Sequence, residues 1–431
     1  MKIISVLALS LITAFSSAVS ARDAIEARIV EQVNKGLPVS LKSLEEVVNI
    51  NSGTLNLAGV NQVGTVFRRQ FDELGFTTRW IDGSSFERAG HLVASHGVRG
   101  PKILMIGHLD TVFSRDDTFQ KFIRLDENNI AGPGITDMKG GNVIIVSALR
   151  ALKKLDLLDQ VQIRVVLTGD EERSGQPLSA SKKALVDAAI WADIALGFED
   201  GDGNISTAVV ARRGSVDWQL SVAGKPAHSS QIFSESVGYG AIFEAARIIN
   251  EFRLQLAGVG NLSFNPGIII GGTSTQYFQD SASGEAFGKN NVVAQTVQVN
   301  GGIRALSPEE LSNAQAAMQK IVSTNLAHTS AALIFDEGYP PMAPTAGNMQ
   351  LLKMYSAVSE SLGYGAVKPV NPRNAGAADI SFTASYIKMG IDGLGLMGTG
   401  GHTRDEVADI SSLAKNTHKA AVLIYRLAKM E

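Results

Sequence analysis

Histidine and acidic side chains follow several apolar segments of the sequence, and such side chains can bind metal ions or move protons. The segment KILMIGH ends at His108, and Asp110 stands two positions further on in MIGHLDTVF. Residues i and i+2 of a strand point to the same face, so we expect both side chains beyond the carboxyl end of one buried strand. Taken alone, a histidine in such a place is more often structural or solvated than a metal ligand.

The same arrangement recurs along the chain. In open α/β sheets ligands bind outside the carboxyl ends of the strands, so polar residues directly after apolar segments are candidates for a site. The other candidates are Asp137 in GPGITDMKGG, Glu171 and Glu172 in VVLTGDEE, Glu199 in DIALGFED and His402 in GTGGHTRDE. GPGITDMKGG lacks the Lys-Ser/Thr ending of a P-loop and the GxGxxG spacing, which argues against a phosphate loop.

Two histidines, three carboxylates and no thiols form a ligand set that suits zinc, with cobalt or manganese in substitution. The sequence contains no cysteine, which excludes thiolate ligands and disulfides. Five ligands exceed what one tetrahedral catalytic zinc ion needs, because that ion keeps a position open for water. A pair of metal ions that shares one carboxylate fits the set.

Alternating helices and strands must position these residues. Strands at 102–108 and 161–172 flank a helix at 140–155 as a βαβ unit, and further helices are predicted at 24–34, 41–48, 62–76, 349–361 and 411–428. Alternating apolar and polar residues in GSVDWQLSVAG and NVVAQTVQVNGGIRAL, with helices at 237–256 and 308–326, indicate a different, antiparallel block. We predict an α/β catalytic domain (22–212 and 329–431) with a mixed, largely parallel sheet, and an inserted α+β, ferredoxin-like domain (213–328).

Composition limits the surroundings of the protein. With 431 residues, 45% of them hydrophobic, the chain is long enough for two domains with cores. Residues 1–21 have the pattern of a secretory signal peptide, the alternative being an uncleaved anchor or a core helix. Removing Lys2 with the signal leaves 38 of the 39 basic residues against 42 acidic ones, near −4, which argues against nucleic acid or membrane partners. An exported chain without disulfides favours a periplasmic or secreted location.

The motifs GHLDTVF, GPGITDMKGG, TGDEERSG, GFED and GTGGHTRDEVADI resemble, in this order, the motif set of the M20 metallopeptidases over nearly all of the mature chain. The similarity is greatest to the exported glutamate carboxypeptidase branch. It implies that His108 and Glu199 hold one zinc ion, that Glu172 and His402 hold the other, and that Asp137 bridges them. Each chain would then bind two Zn²⁺, or Co²⁺ or Mn²⁺ in their place.

The resemblance also implies catalytic roles. Glu171 matches the general acid/base, which takes a proton from a metal-activated water and delivers it to the leaving amine. Asp110 matches the residue that accepts the second ring N–H of the metal-binding His108. In the inserted domain, which serves as lid and dimerisation domain, His228 matches a histidine that stabilises the oxyanion in the partner subunit. A cis peptide bond is expected after Asp137, as in other members of the family.

Two further residues of the inserted domain match substrate-binding positions of the family. Asn291 and Arg304 would bind the carboxylate of the substrate, the alternative for Arg304 being an exposed arginine at a strand end. The segment 271–290 is longer and more polar than its counterpart, and NAGAADIS stands where relatives more often have a Gly-Gly-Thr-Asp-like loop. Both departures concern the choice of substrate.

We therefore expect a homodimeric dizinc hydrolase that cleaves an amide bond beside a free carboxylate, such as that of a C-terminal glutamate. Its substrate would be a peptide or an N-acyl amino acid. The alternatives within the family are an N-acyl-amino-acid amidohydrolase and an aminopeptidase or dipeptidase. The alternatives outside it are a binding protein on an inactive hydrolase fold and a nucleotide-binding α/β protein.

Overall fold

The computed structural model describes residues 24–279 and 281–430, so the predicted signal peptide at 1–21 lies outside the described residues. The helices of the described chain are α1 (Ala24–Val48), α2 (Leu57–Glu73), α3 (Gly140–Lys153), α4 (Leu178–Ser181), α5 (Lys183–Trp191), α6 (Gly240–Leu256), α7 (Pro308–Val322), α8 (Ala346–Ser361) and α9 (Ser411–Leu427). None of the helices in this described part is long and apolar enough to cross a bilayer.

The strands are β1 (Thr77–Asp82), β2 (Gly90–His96), β3 (Lys102–His108), β4 (Ile123–Arg124), β5 (Asn129–Ala131), β6 (Gln162–Thr168), β7 (Ile194–Gly197), β8 (Thr207–Ala208), β9 (Val216–Gly224), β10 (Ser263–Gly272), β11 (Ser274–Phe278), β12 (Ser283–Phe287), β13 (Thr296–Arg304), β14 (Thr329–Phe335), β15 (Lys368–Pro369), β16 (Met389–Ile391), β17 (Gly398–Thr399) and β18 (Val407–Asp409).

A six-stranded sheet in the order β1-β2-β6-β3-β7-β16 forms the centre of the molecule. Strands β6, β3, β7 and β16 run parallel, whereas β2 is antiparallel to both of its neighbours, β1 and β6, so the predicted mixed, largely parallel sheet is confirmed. Helices pack on both faces of this sheet, which buries β3 almost completely and explains its continuous apolar sequence. The carboxyl ends of the parallel strands therefore meet at one edge.

A second, antiparallel sheet has the order β10-β13-β9-β14, and α6 and α7 cover one of its faces. Its β-α-β-β-α-β succession is ferredoxin-like. The alternation read in the sequence of β9 corresponds to buried residues such as Val216, Trp218 and Leu220, which face the helices. Because β14 pairs with β9 as far as Phe335, this sheet extends past residue 328, where the sequence analysis ended the inserted domain.

The predicted ends of two secondary-structure elements were wrong. The helices predicted at 24–34 and 41–48 are one helix, α1, which continues through Pro38 because apolar residues on both sides of the proline, among them Val33 and Leu44, pack into the main core. The strand predicted at 161–172 ends at Thr168, so the adjacent Glu171 and Glu172 lie in a loop.

The two segments that connect the sheets lie side by side. Arg212 pairs with Met342 and Ser215 pairs with Tyr339 in isolated antiparallel bridges. Both connections thus cross between the two sheets at one place, directly beside the loop that carries Glu171, since the Tyr339 hydroxyl donates a hydrogen bond to the Glu171 carbonyl oxygen at 2.8 Å.

Candidate metal centre

Five predicted ligands come together at the carboxyl edge of the central sheet. His108 ends β3, Glu199 follows β7, Glu172 follows β6, Asp137 lies in the turn before α3, and His402 lies in the loop between β17 and β18. The peptide bond between Asp137 and Met138 is cis, as expected. The structure thus brings the five side chains together, three of them at or soon after the ends of strands of the central sheet.

Asp137 lies between two sets of donor atoms. One set is His108, Asp137 and Glu199, the other is Asp137, Glu172 and His402, and within each set the donor atoms lie within 4.8 Å of one another. Asp137 Oδ1 is 3.0 Å from His108 Nε2, and its Oδ2 is 2.8 Å from His402 Nε2. His108 Nε2 is also 3.5 Å from Glu199 Oε1, and His402 Nε2 is 3.2 Å from Glu172 Oε2. One carboxylate therefore joins both sets.

The donor atoms fit a pair of divalent metal ions. Burial, with the nearby Asp137, raises the pKa of Glu172 to about 7, and burial raises the pKa of Glu199 well above its ordinary value. Hydrogen bonds to Asp137 and Glu172 raise the pKa of His402 to about 11. Glu172 Oε1 is buried and has no hydrogen-bond partner among the described residues. Such a cluster of buried negative charge with an unused ligand atom is stabilised by cations bound among the carboxylates.

Asp110 contacts His108, and its carboxylate also accepts hydrogen bonds from three other residues. His108 Nδ1 is 3.0 Å from the Asp110 backbone carbonyl oxygen and 3.4 Å from its carboxylate, so the backbone is the nearer partner. The carboxylate accepts hydrogen bonds from the Thr54 hydroxyl at 2.7 Å and from the backbone N–H groups of Glu171 and Glu172 at 3.1 and 3.2 Å. Asp110 thereby fixes the loop after β6 relative to the end of β3.

Glu406 supports the bridging residue and was missed from the sequence. Its fully buried carboxylate accepts hydrogen bonds from the backbone N–H groups of Gly134 (2.8 Å), Thr136 (2.8 Å) and Asp137 (3.3 Å), and from the Thr136 hydroxyl (3.0 Å). It lies four residues after His402, so one loop supplies both a ligand and the support of another. In the sequence this glutamate looks like an ordinary solvated acid of a loop.

A buried ion cluster behind the Glu171 loop was also missed. The Lys182 ammonium lies 3.3 Å from Asp170 and 3.0 Å from Asp379, and all three side chains are nearly inaccessible. Asp379 also accepts a hydrogen bond from the Thr168 hydroxyl at 2.5 Å. Asp379 belongs to NAGAADIS, so this unusual segment contributes to the support of the site. Nothing in the sequence distinguishes Lys182 from the exposed lysine beside it.

The predicted residues of the second sheet do not reach the five ligands within one chain. No hydrogen bond or ion pair of the described residues joins His228, Asn291 or Arg304 to any ligand residue. His228 is exposed and its Nδ1 lies 2.8 Å from Ser230 Oγ, while the Asn291 carbonyl oxygen accepts a hydrogen bond from the Ser229 N–H at 2.9 Å. Arg304 is exposed at the end of β13.

The fold and the donor set define the class of protein as a metal-dependent hydrolase. The pattern of peptidase family M20/M25/M40 matches residues 104–426, and the chain belongs to this family. Carboxypeptidase G2 from Pseudomonas sp. (strain RS-16) is 26% identical over 393 residues, which cover 90% of this chain and 89% of that protein. The resemblance inferred from the motifs is thus confirmed.

Solved structures of similar fold agree with this assignment. The aminopeptidase PepT from Bacillus cereus ATCC 10987 has a TM-score of 0.74 at 20% identity, covering 91% of this chain and 99% of its own. The YXEP protein of Bacillus subtilis, a dinuclear metal binding peptidase of the M20 family, has a TM-score of 0.64 at 14% identity, covering 92% of this chain and 100% of its own. These likenesses confirm the fold.

We predict that Glu406→Ala destabilises the protein and weakens metal binding. The substitution leaves buried N–H groups without acceptors at about 1 to 3 kcal/mol each, so we expect a loss of roughly 3 kcal/mol or more in the free energy of unfolding. Denaturant titration and metal analysis after dialysis measure the two effects. Glu406→Gln, which keeps one acceptor oxygen, should lose less, and the exposed Glu127→Ala is the matched control. Equal unfolding free energies for Glu406→Ala and this control would contradict the role.

Proposed function

We propose that the protein is an exported dizinc exopeptidase that hydrolyses the amide bond next to a free carboxylate of its substrate, in the manner of a glutamate carboxypeptidase. The observation that carries this proposal is the position of Asp137 between two donor sets, with Glu171 next to one of the ligands. The similarity to carboxypeptidase G2 over 90% of the chain supports the choice of reaction. The pattern of residues 1–21 supports export to the periplasm or the medium.

In the proposed mechanism His108, Asp137 and Glu199 would hold one ion, and Asp137, Glu172 and His402 would hold the other. Bound divalent cations supply Lewis acidity and lower the pKa of water toward roughly 7. Burial raises the pKa of Glu171 well above its ordinary value, although the nearby His108 opposes this shift. A buried carboxylate of raised pKa is suited to take a proton from the attacking water and to deliver it to the leaving amine nitrogen.

Arginines support recognition of the substrate carboxylate. Arg304 follows the alternation of β13, in which Val299 and Ile303 face the helices, so its side chain lies on the opposite face of that sheet. Burial, together with the nearby Arg373 and Arg304, lowers the pKa of Arg213. The three guanidinium groups form a cationic region suited to an anionic group, with a bidentate fork available from Arg304.

A second copy of the chain completes the proposed site. His228 is exposed within one chain, and the exposed aromatic side chains of Phe233, Tyr239 and Phe243 pack on one another close to it in the sequence. Phe233 is 59% and Phe243 50% exposed, and apolar patches of this kind often mark interfaces. We propose a homodimer in which His228 enters the site of the other subunit and donates a hydrogen bond to the oxyanion.

The first prediction of this proposal concerns the proton-transfer residue. Glu171→Gln should lower kcat by on the order of 10² to 10⁴, because the amide cannot carry the proton, while the metal content stays unchanged. Initial rates on an N-acyl glutamate and metal analysis of the same preparations measure both. Loss of metal in this variant would mean that Glu171, rather than Glu172, is the ligand, and Glu172→Gln is the matched comparison.

The second prediction concerns the class of substrate. Arg304→Ala should raise KM for substrates with a free α-carboxylate, since a lost charge-assisted pair of this kind is typically worth roughly 2 to 5 kcal/mol. Amide-capped analogues, already poor substrates, should be almost unaffected, and Arg304→Lys should recover only part of the loss. Equal losses on capped and free substrates would contradict carboxylate recognition and favour the broader amidohydrolase or aminopeptidase reading.

The third prediction concerns the dimer. Mixing His228→Ala chains with Glu171→Ala chains should restore activity in heterodimers, because one of the two sites then contains both intact groups. Activity is measured after subunit exchange has been verified with differently tagged chains. Homodimers of each variant are the controls. If exchanged mixtures remain as inactive as these controls, His228 does not act across the dimer.

A further inference from the structure

We propose that a cavity beside Glu172 binds an anionic group at the far end of the acyl part of the substrate, so that the preferred substrates are monoamides of short dicarboxylic acids. This inference rests on the proposed hydrolase function and specifies the acyl side, which the family assignment leaves open. Hydrolysis breaks the amide C–N bond, adds the hydroxyl of water to the acyl carbon and a proton to the nitrogen, and releases a dicarboxylate and an amino acid.

The cavity has a volume of about 480 Å³ and reaches the metal centre through Glu172, which forms part of its wall. Leu55 and Val112 line it with exposed apolar surface, 60% and 41% accessible respectively. Its size falls within the range of small-molecule sites. An aliphatic chain attached to a carbonyl group at the metal centre can therefore extend along apolar walls.

Polar groups lie among these walls. Thr111 is almost fully buried, lines the cavity, and its hydroxyl has no hydrogen-bond partner among the described residues. The Thr54 hydroxyl, by contrast, is already bonded to Asp110. Because the Thr111 oxygen is itself shielded from solvent, a ligand in the cavity first meets the charged side chains of the wall.

Two arginines give the cavity a positive charge. Arg115 and Arg173 both line it and are exposed, and within the described residues neither guanidinium has a carboxylate within 4.0 Å. The acids next to Arg115 are engaged elsewhere, because Asp116 accepts a hydrogen bond from Ser114 at 2.7 Å and Asp117 pairs with Arg404 at 3.2 Å. Both arginines are therefore available to an anionic ligand.

This cationic region differs from the one proposed for the leaving group. The cavity wall, as far as the chain is described, contains neither Arg304 nor its neighbours Arg213 and Arg373. We therefore assign the anion at the end of the acyl chain to Arg115 and Arg173, and the anion of the leaving amino acid to the separate arginines of the proposed function. The carbonyl group between the two anions would then lie at the metal centre.

The test uses N-acyl glutamates in matched pairs that differ only in the terminal charge of the acyl chain. The pairs are succinyl and butyryl, glutaryl and pentanoyl, and adipoyl and hexanoyl. We expect kcat/KM to be about tenfold higher for the diacid member of at least one pair at low salt, and the preference to shrink as salt screens the exposed arginines. Equal kcat/KM values within every pair would overturn the inference and leave the hydrolase function standing.

Substitutions of the two arginines test whether the preference for the diacid substrate arises in the cavity. Arg115→Gln and Arg173→Gln should each reduce kcat/KM for the diacid substrate about two- to fivefold, mainly through KM, and the double variant should remove the preference. Rates on the partner substrate, whose acyl chain carries no charge, should not change. Arg28→Gln, an exposed arginine of α1, is the matched control. Equal losses on both members of a pair would show a general effect on the fold and overturn the inference.

Binding separates this inference from the proposed function. Calorimetry with the Glu171→Gln chain measures affinity for the same pairs without turnover, and the diacid member should bind about tenfold more tightly, in a manner that depends on Arg115 and Arg173. If the parent hydrolyses none of these amides but this difference in affinity is found, the hydrolase proposal fails and the anion site stands. Equal affinities within every pair would reject the anion site.

Discussion

Buried negative charge at one edge of the central sheet is the constraint on which the structure depends. Asp137, Glu172 and Glu199 converge with Glu171 at the carboxyl ends of the parallel strands, and burial raises the pKa of each of the three glutamates. Carboxylates so close together remain ionised in a protein interior only when positive charge lies among them. Without metal, protonated His108 and His402 supply that charge; with divalent cations bound, the ligating imidazoles are neutral and the cations supply it, so metal binding and the stability of this edge are linked.

The ligands are positioned by hydrogen bonds between their backbone and two buried carboxylates that are not ligands. Glu406 accepts hydrogen bonds from three backbone N–H groups at and before Asp137. Asp110 accepts hydrogen bonds from the backbone N–H groups of Glu171 and Glu172. Each support connects segments far apart in the chain. The ligand distances are therefore a property of the packed fold, and supporting residues of this kind are commonly as important to metal sites as the ligands.

The parts of the fold and site that could be predicted from the sequence are those encoded by local pattern. The apolar run of β3 and the polar residues after it located His108, and alternation in β9 identified the antiparallel sheet. Glu406 and Lys182 could not be found in this way, because their roles depend on contacts with residues distant in the chain, and their local sequences are those of solvated residues. The limits of α1 were misjudged for the same reason, since tertiary packing decided them.

Two groups of arginines bear on how the proposed anionic substrate approaches this negative centre. Arg115 and Arg173 line the cavity next to Glu172, whereas Arg213 and Arg304 lie near the end of the second sheet. Without cations the four carboxylates repel an anion, whereas two divalent ions would balance their charge and remove this repulsion. Substrate binding and metal binding must then favour one another by the same free energy, since a coupling between two sites is reciprocal. In the proposed function the arginines select substrates by the position of their charges, and the metal ions allow an anion to approach the carboxylates at all.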